Sequence, residues 1–375
     1  MPGIYIHIPF CKQACTYCDF HFSTSLKNKE HFLESLEIEM ELQKNYLPSN
    51  KISTVYFGGG TPSLLSGDEV QRIFDRLHKY FEIDERAEIT LEANPDDLTK
   101  NKLRELRQTP VNRFSIGIQS FFNEDLELMN RAHNAMEAQD CVKMAQDAGF
   151  ENITIDLIYG TPTMDDVRWK KNLQTAFELQ VPHISAYCLT VEPKTALADM
   201  VKKKKVANVD DQKSSAQFLM MLEQMKLHGF IQYEISNFGK EGFFSKHNSN
   251  YWKGETYLGL GPSAHSFDGT SRQWNVRNNE IYNRGLKEKE PDFIKEILST
   301  DQKYNEYVLT SLRTMWGTSL DKIELNFGSE YLQLAKSESE VYLASGDLEL
   351  KRNTLFLTEK GKLIADRIAS DLFKV

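Results

Sequence analysis

Apolar residues fall along this chain in two alternating rhythms. Short β-branched and aromatic runs recur at Ile4–Ile8, Thr54–Phe57, Glu88–Glu92, Arg113–Ile118, Ile153–Ile158 and His183–Leu189 and read as strands. Between them, Lys29–Tyr46, Asp68–Phe81, Leu98–Gln108, Ala135–Ala148 and Asp166–Leu179 place apolar side chains at helical spacing. Strand, helix, strand in repetition predicts an α/β fold, a parallel sheet wrapped by helices, as a full or partial (β/α) barrel or as an open doubly wound sheet. In each of these the loops leaving the carboxyl ends of the strands build the site.

The pattern changes near Val191, which sets the first expected domain at residues 1–192. Residues 193–300 read as a linker helix around Ser215–His228 followed by an aromatic, glycine-rich stretch without a clear period. Lys202–Lys205, four consecutive lysines, reads as a solvated loop. Residues 301–375 read as a separate small α+β module: helix, helix, the strand pair Leu348–Leu350 and Thr354–Leu357, and a closing helix Glu359–Leu372. That order resembles a winged helix. The module carries 10 Lys and Arg against 12 Asp and Glu, so it lacks the basic surplus of a DNA-binding surface and reads as a packing or lid module.

Composition narrows the function classes. With 40% hydrophobic and 26% charged residues the chain is ordinary globular protein, not a disordered or fibrous one. A net charge of −9 repels a phosphate backbone, so nucleic acid is not the expected partner. No apolar run approaches the ~18 residues of a membrane span, and Met1–Phe10 lacks the features of a secretory signal, so a cytoplasmic protein is expected. In that reducing setting the five cysteines read as thiols or metal ligands, not disulfides.

Three of the five, Cys11, Cys15 and Cys18, stand together after the first strand in Cys11-Lys-Gln-Ala-Cys15-Thr-Tyr-Cys18. Such a loop lets three thiolates converge on one inorganic core. Four cysteines would close a [4Fe–4S] cluster; three leave one iron open to another ligand. The rival is structural zinc with His7 or His21 as fourth ligand, although zinc sites usually pair cysteines from two separated knuckles. Cys141 and Cys188 read as small buried apolar residues. Gly58-Gly59-Gly60-Thr61-Pro62, after the second strand, would let backbone N–H groups approach a ligand.

The cysteine spacing, in the loop after the first strand of a (β/α) domain, resembles the radical S-adenosylmethionine superfamily. The resemblance implies a partial (β/α) barrel, a [4Fe–4S] cluster on Cys11, Cys15 and Cys18, and S-adenosylmethionine chelating the open iron through its amino and carboxylate groups. In that family an electron from the cluster cleaves the sulfonium to give a 5′-deoxyadenosyl radical. Within it, Tyr5-Ile-His-Ile-Pro-Phe-Cys11, Gly59-Gly60-Thr61-Pro62, Glu92-Ala-Asn-Pro95, Gly117-Ile-Gln119-Ser-Phe121, Arg131 and Asp156-Leu-Ile-Tyr-Gly160 resemble the successive motifs of the coproporphyrinogen dehydrogenase-like branch over nearly the whole chain. By that resemblance Tyr5, Gly59, Gly60, Glu92, Gln119, Arg131 and Asp156 contact S-adenosylmethionine.

Two departures bear on which member this is. The branch's oxidative decarboxylase carries a further cysteine two residues after the third, where this chain has Phe20, and it has a longer segment before the cysteines, where this chain has ten residues. Both departures are similar to the branch's haem-chaperone group. His247-Asn-Ser-Asn-Tyr251-Trp252 resembles that group's His-Asn-x-x-Tyr-Trp motif, which implies haem binding by His247, Tyr251 and Trp252; imidazole suits haem iron and the aromatic faces suit a porphyrin. His265 is a second candidate ligand. The expected function is haem transfer to an acceptor protein near the membrane, with an electron donor as a further partner. The alternatives are anaerobic decarboxylation of coproporphyrinogen III and a non-redox zinc-binding scaffold whose winged-helix-like end recruits a partner.

Overall fold

The computed structural model describes residues 1–375. Six parallel strands, β1 (Gly3–Ile8), β2 (Lys51–Gly59), β3 (Glu82–Ala93), β4 (Arg113–Gln119), β5 (Asn152–Tyr159) and β6 (His183–Cys188), lie side by side in chain order. Helices including Lys29–Leu42, Gly67–Tyr80, Ala135–Asp147 and Asp166–Glu178 connect them. Two of these start on capping boxes, Ser66 with Glu69 and Asn134 with Glu137, which satisfy first-turn N–H groups that the helix itself leaves open. The sequential order and one-way connections are those of a partial (β/α) barrel, as expected.

The segment 193–300, expected as a linker helix and an aromatic region, instead extends this sheet at both ends. β7 (Ile231–Glu234) and β8 (Asn237–Gly239) add antiparallel strands beside β6. β9 (Tyr257–Leu260) pairs parallel with β1, and β10 (His265–Phe267), β11 (Ser271–Asn275) and β12 (Phe293–Ile297) continue outward, giving twelve strands in all. The expected helix is longer than its pattern, Asp211–Leu227. Lys202–Lys205 are exposed, although Lys202 closes the helix Ala196–Lys202 and only the other three lie in a loop.

Residues 301–375 have a core of their own, built on Tyr304, Val308, Ile323, Leu355 and Ile368. Three helices, not two, precede the strand pair: Thr300–Leu312, Leu320–Phe327 and Ser329–Ser345. The pair itself is β14 (Leu348–Lys351) and β15 (Thr354–Leu357), joined by a short β13 (Thr318–Ser319) that the sequence pattern does not reveal. The closing helix is broken into Glu359–Lys362 and Ala365–Asp371. The module meets the barrel along β7, where Met315 N–H donates to the Tyr233 carbonyl at 3.0 Å and Arg313 Nε lies 3.4 Å from the buried Glu234 carboxylate.

The barrel strands are two-faced. Their outward positions, such as Ile4, Phe57, Leu91, Phe114 and Ile155, pack into one apolar core with the helices. Their inward positions are polar: Thr54 and Tyr56 on β2, Glu88, Thr90 and Glu92 on β3, Arg113 and Ser115 on β4, Thr154 and Asp156 on β5. The period-two alternation of a strand thus separates an apolar shell from a polar interior, and at the carboxyl end that interior opens into a cavity.

Candidate functional site

The loop from Cys11 to Ser23 crosses the carboxyl end of the barrel. Its ends are tied by Cys11 N–H to the Ser23 carbonyl at 3.0 Å and Ser23 N–H to the Pro9 carbonyl at 2.9 Å. Its middle is stapled to the segment Leu128–Arg131: Thr16 Oγ1 donates to the Leu128 carbonyl at 2.8 Å, Gln13 Nε2 to the Asn130 carbonyl at 2.9 Å, and Asn130 Nδ2 to the Ala14 carbonyl at 2.7 Å. Lys12 bridges to Asp96 at 2.8 Å and also pairs with Asp97. These bonds hold Cys11, Cys15 and Cys18 on the wall of one cavity of about 630 Å³, together with Glu92, Gln119, Arg131 and Asp156.

Glycines let the turn after β2 reach the loop. A Cβ on Gly60 would stand 2.5 Å from the Phe10 carbonyl oxygen and 2.8 Å from that of Ile8, and Gly59 has φ +102, a conformation that favours glycine. The N–H groups of Gly60 and Thr61, expected to face a ligand, instead donate to the Ile8 and Phe10 carbonyls at 2.8 and 2.7 Å. What Gly59 and Gly60 offer the cavity is bare backbone on its wall.

The polar side chains of the cavity are incompletely satisfied. Arg131 donates to Cys15 Sγ at 3.3 Å, Asn94 Oδ1 at 2.7 Å and the Gly117 carbonyl at 2.8 Å, yet its Nε has no partner, nor does the buried Gln119 Oε1. A side chain on Gly117 would crowd this Arg, standing 3.1 Å from Nη2. Glu92 accepts from the Tyr56 hydroxyl at 2.8 Å, and Asp156 from Ser115 Oγ at 3.2 Å. Burial raises the Glu92 carboxyl to about 7, with repulsion from Asp156 adding to it; burial raises Asp156 to about 6, against hydrogen bonds from Ser185 and Ser115. Two carboxylates held above their ordinary range in one cavity are relieved by a cationic ligand, and orphaned buried polar atoms mark where its polar groups go.

The thiols suit a multinuclear core. A tetrahedral zinc ion would gather its sulfurs to about 3.8 Å of one another, given Zn–S near 2.3 Å. No three His, Cys, Asp or Glu side chains are gathered around a single-ion position here. A cubane instead takes each sulfur at a separate iron corner. Burial raises the Cys11 thiol to about 11, so its thiolate form calls for bound positive charge, which cluster irons supply.

Several expected residues lie elsewhere. Tyr5 does not line this cavity; its hydroxyl is 3.3 Å from His7 Nδ1, and it faces a second cavity of about 370 Å³ on the other side of the cysteine loop. Cys141 is buried as expected, but Cys188 is exposed at the end of β6 and lines the first cavity. His247 is packed away from the first cavity. It is 2% exposed, with Nδ1 2.8 Å from Thr54 Oγ1 and Nε2 2.9 Å from the Tyr251 hydroxyl, so both ring nitrogens are engaged by the protein here. Thr54 precedes Gly59 by five residues of β2, which puts His247 roughly 16 Å from the cysteine end. Its helix, Lys246–Trp252, plugs the barrel floor, with the Glu88 carboxylate accepting from the Lys246 and His247 N–H groups at 2.9 Å. Trp252 lies under the Arg313 guanidinium, 5.7 Å from its ring centroid, in the joint with the C-terminal module. Of the three residues only Tyr251 lines either of these two cavities, the second one.

Sequence reasoning missed Asn94, Ser115, Gly117, Tyr187 and Cys188 on the cavity wall. A usable signal was present in β4, where Arg113, Ser115, Gly117 and Gln119 put polar or small residues at every second position between Phe114, Ile116 and Ile118.

Comparison with known proteins agrees with this geometry. The Radical SAM superfamily model matches residues 5–176. The chain is 33% identical to a protein named heme chaperone HemW from Bacillus subtilis (strain 168), over 98% of each chain. It is 33% identical to the heme chaperone HemW of Mycobacterium tuberculosis (strain ATCC 25618 / H37Rv), over 99% of this chain and 94% of that one, and 35% identical to that of Escherichia coli (strain K12), over 70% and 69%. Among solved structures, coproporphyrinogen III oxidase (HemN) from Escherichia coli, described as a radical SAM enzyme, superposes with a TM-score of 0.86 at 22% identity, covering 100% of this chain and 90% of that one. At that identity the likeness is one of fold. The chain belongs to the radical SAM superfamily and, within it, to the family of proteins named heme chaperone HemW.

Proposed function

We propose that this protein is a haem chaperone that carries a [4Fe–4S] cluster and S-adenosylmethionine and passes haem to an acceptor protein near the membrane. The observation that carries the reading is full-length similarity: the match to the Bacillus subtilis heme chaperone HemW runs through barrel, floor helix and C-terminal module alike. Cys11, Cys15 and Cys18 would hold the cluster, and Gly59, Gly60, Glu92, Gln119, Arg131 and Asp156 would surround the sulfonium compound. When bound, the cluster supplies one-electron chemistry. The chain's own contribution is positioning: Arg131 supports Cys15 from one side and turns its free Nε to a carboxylate, while Glu92 and Asp156 receive the ligand's positive charge or its ribose hydroxyls.

The alternative is oxidative decarboxylation of coproporphyrinogen III, favoured by the shared fold. Phe20, standing on the cavity wall where the decarboxylase has cysteine, speaks against it. The discriminating experiment runs both assays on anaerobically reconstituted protein. Haem titration should give a saturable Soret shift, and coproporphyrinogen III with S-adenosylmethionine and reductant should give no protoporphyrinogen IX. Product formation without haem binding would reverse the assignment.

A further inference from the structure

The second cavity, about 370 Å³, falls in the size range of small-molecule sites and lies between β1, the turn from β9 into β10, and the cysteine loop. Three of the chain's nine histidines face it: His7, His21 and His265. They are not equivalent. His7 is buried, with Nε2 2.8 Å from the His21 carbonyl and Nδ1 3.3 Å from the Tyr5 hydroxyl. His21 has Nε2 2.6 Å from Asn279 Oδ1. His265, an exposed residue at the cavity edge, alone has neither ring nitrogen hydrogen-bonded to the protein, while its ring is held at 5.9 Å and 20° against Trp274.

A side chain with this placement is an oriented, open ligand. Burial and the nearby Arg272 also lower its pKa, which favours the neutral imidazole that binds metal. A bare ion is not what it suits, because no three metal-binding side chains are gathered here. One imidazole suits an iron already ligated in its own plane. The walls agree. Tyr251 and Tyr257, edge to face at 4.5 Å, present apolar ring surface, and Phe20 leaves 67% of its area exposed at the rim, an aromatic that lacks a cover. Arg277, which donates to the Asp19 carbonyl, has further N–H groups for a carboxylate.

We propose that the cargo haem sits in this second cavity, with His265 as axial ligand, Tyr251, Tyr257 and Phe20 against the ring, and Arg277 pairing a propionate. This rests on the haem-chaperone reading and relocates its site from His247 to His265. Because Phe20 and Asp19 line both cavities, the haem would lie against the cysteine loop itself.

The test is haemin titration of the full-length, cluster-loaded chain, followed in the Soret region and by ferric electron paramagnetic resonance. His265→Ala should raise Kd about tenfold or more and remove the imidazole-ligated spectrum, and free imidazole should restore it. His265→Cys should move the spectrum to the thiolate-ligated type, and Arg277→Ala should weaken binding while leaving the axial signature unchanged. Unaltered iron and sulfide content shows that each variant is folded. If wild type and His265→Ala bind haemin with the same spectrum and affinity, the site is wrong while the haem reading stands. If wild-type protein binds no haemin, the haem reading itself falls.

Discussion

Glu92→Gln should stabilise the protein and weaken its ligand at the same time. The Glu92 carboxyl rises from an ordinary 4.5 to about 7 because folding buries it, with Asp156 repelling its charge. The native chain therefore binds this proton more tightly than the unfolded chain. Stability is full below pH 4.5 and falls as the pH rises towards 7, the opposite of a salt-bridged acid. At about 1.4 kcal/mol per unit, the ionised group costs the ligand-free protein on the order of 3 kcal/mol above pH 7. Glutamine is uncharged and keeps an oxygen for the Tyr56 hydroxyl, which donates to Glu92 at 2.8 Å. Urea unfolding without S-adenosylmethionine should show the variant more stable than wild type at pH 8 by up to about 3 kcal/mol, with no difference at pH 4.5. Equilibrium dialysis at pH 8 should show S-adenosylmethionine bound about 10- to 100-fold more weakly, as for the loss of a charged hydrogen bond. A variant less stable than wild type at pH 8, or one with unchanged affinity, would refute the reasoning.

Gly60→Ala should lower the thermal midpoint, at a cost of about 1–3 kcal/mol, and reduce iron incorporation, because its Cβ would meet two backbone carbonyl oxygens that cannot swing away. Scanning calorimetry and iron analysis check it, and a fully loaded variant of wild-type stability would contradict it. His247→Ala should destabilise by about 2–4 kcal/mol, since it leaves a cavity and an unpartnered Thr54 hydroxyl in the barrel floor. Its haem Soret spectrum should match wild type, and loss of that spectrum in a folded variant would restore His247 as the ligand.

The six barrel strands were legible because each is a short apolar run between turn residues; the structure lengthens five of them, as in β3, which starts at Glu82 and not Glu88, and ends β6 one residue early, at Cys188. The cysteine loop was legible because its chemistry is local in sequence. Strands β7 to β10 were not, since they have only three or four residues each; β8 and β9 form by pairing with β6 and β1, partners distant along the chain, and β7 and β10 add on to β8 and β9 in turn. The packing of His247 was hidden for the same reason. In sequence the residue is a histidine in an aromatic loop, while the group that occupies its Nδ1, Thr54, is 193 residues away. Cys188 reads as a buried strand residue, yet it ends β6, where the strand emerges at the cavity mouth. Such outcomes depend on tertiary pairing, which local pattern does not encode.

The most direct test of the account is iron and sulfide analysis of anaerobically reconstituted protein beside Cys11→Ala, Cys15→Ala and Cys18→Ala. Wild type should hold about four irons and four sulfides per chain, with cubane absorption and paramagnetic resonance that change when S-adenosylmethionine is added, and each variant should lose them. A colourless wild-type protein holding one tetrahedral zinc, or variants that keep the full cluster, would contradict it.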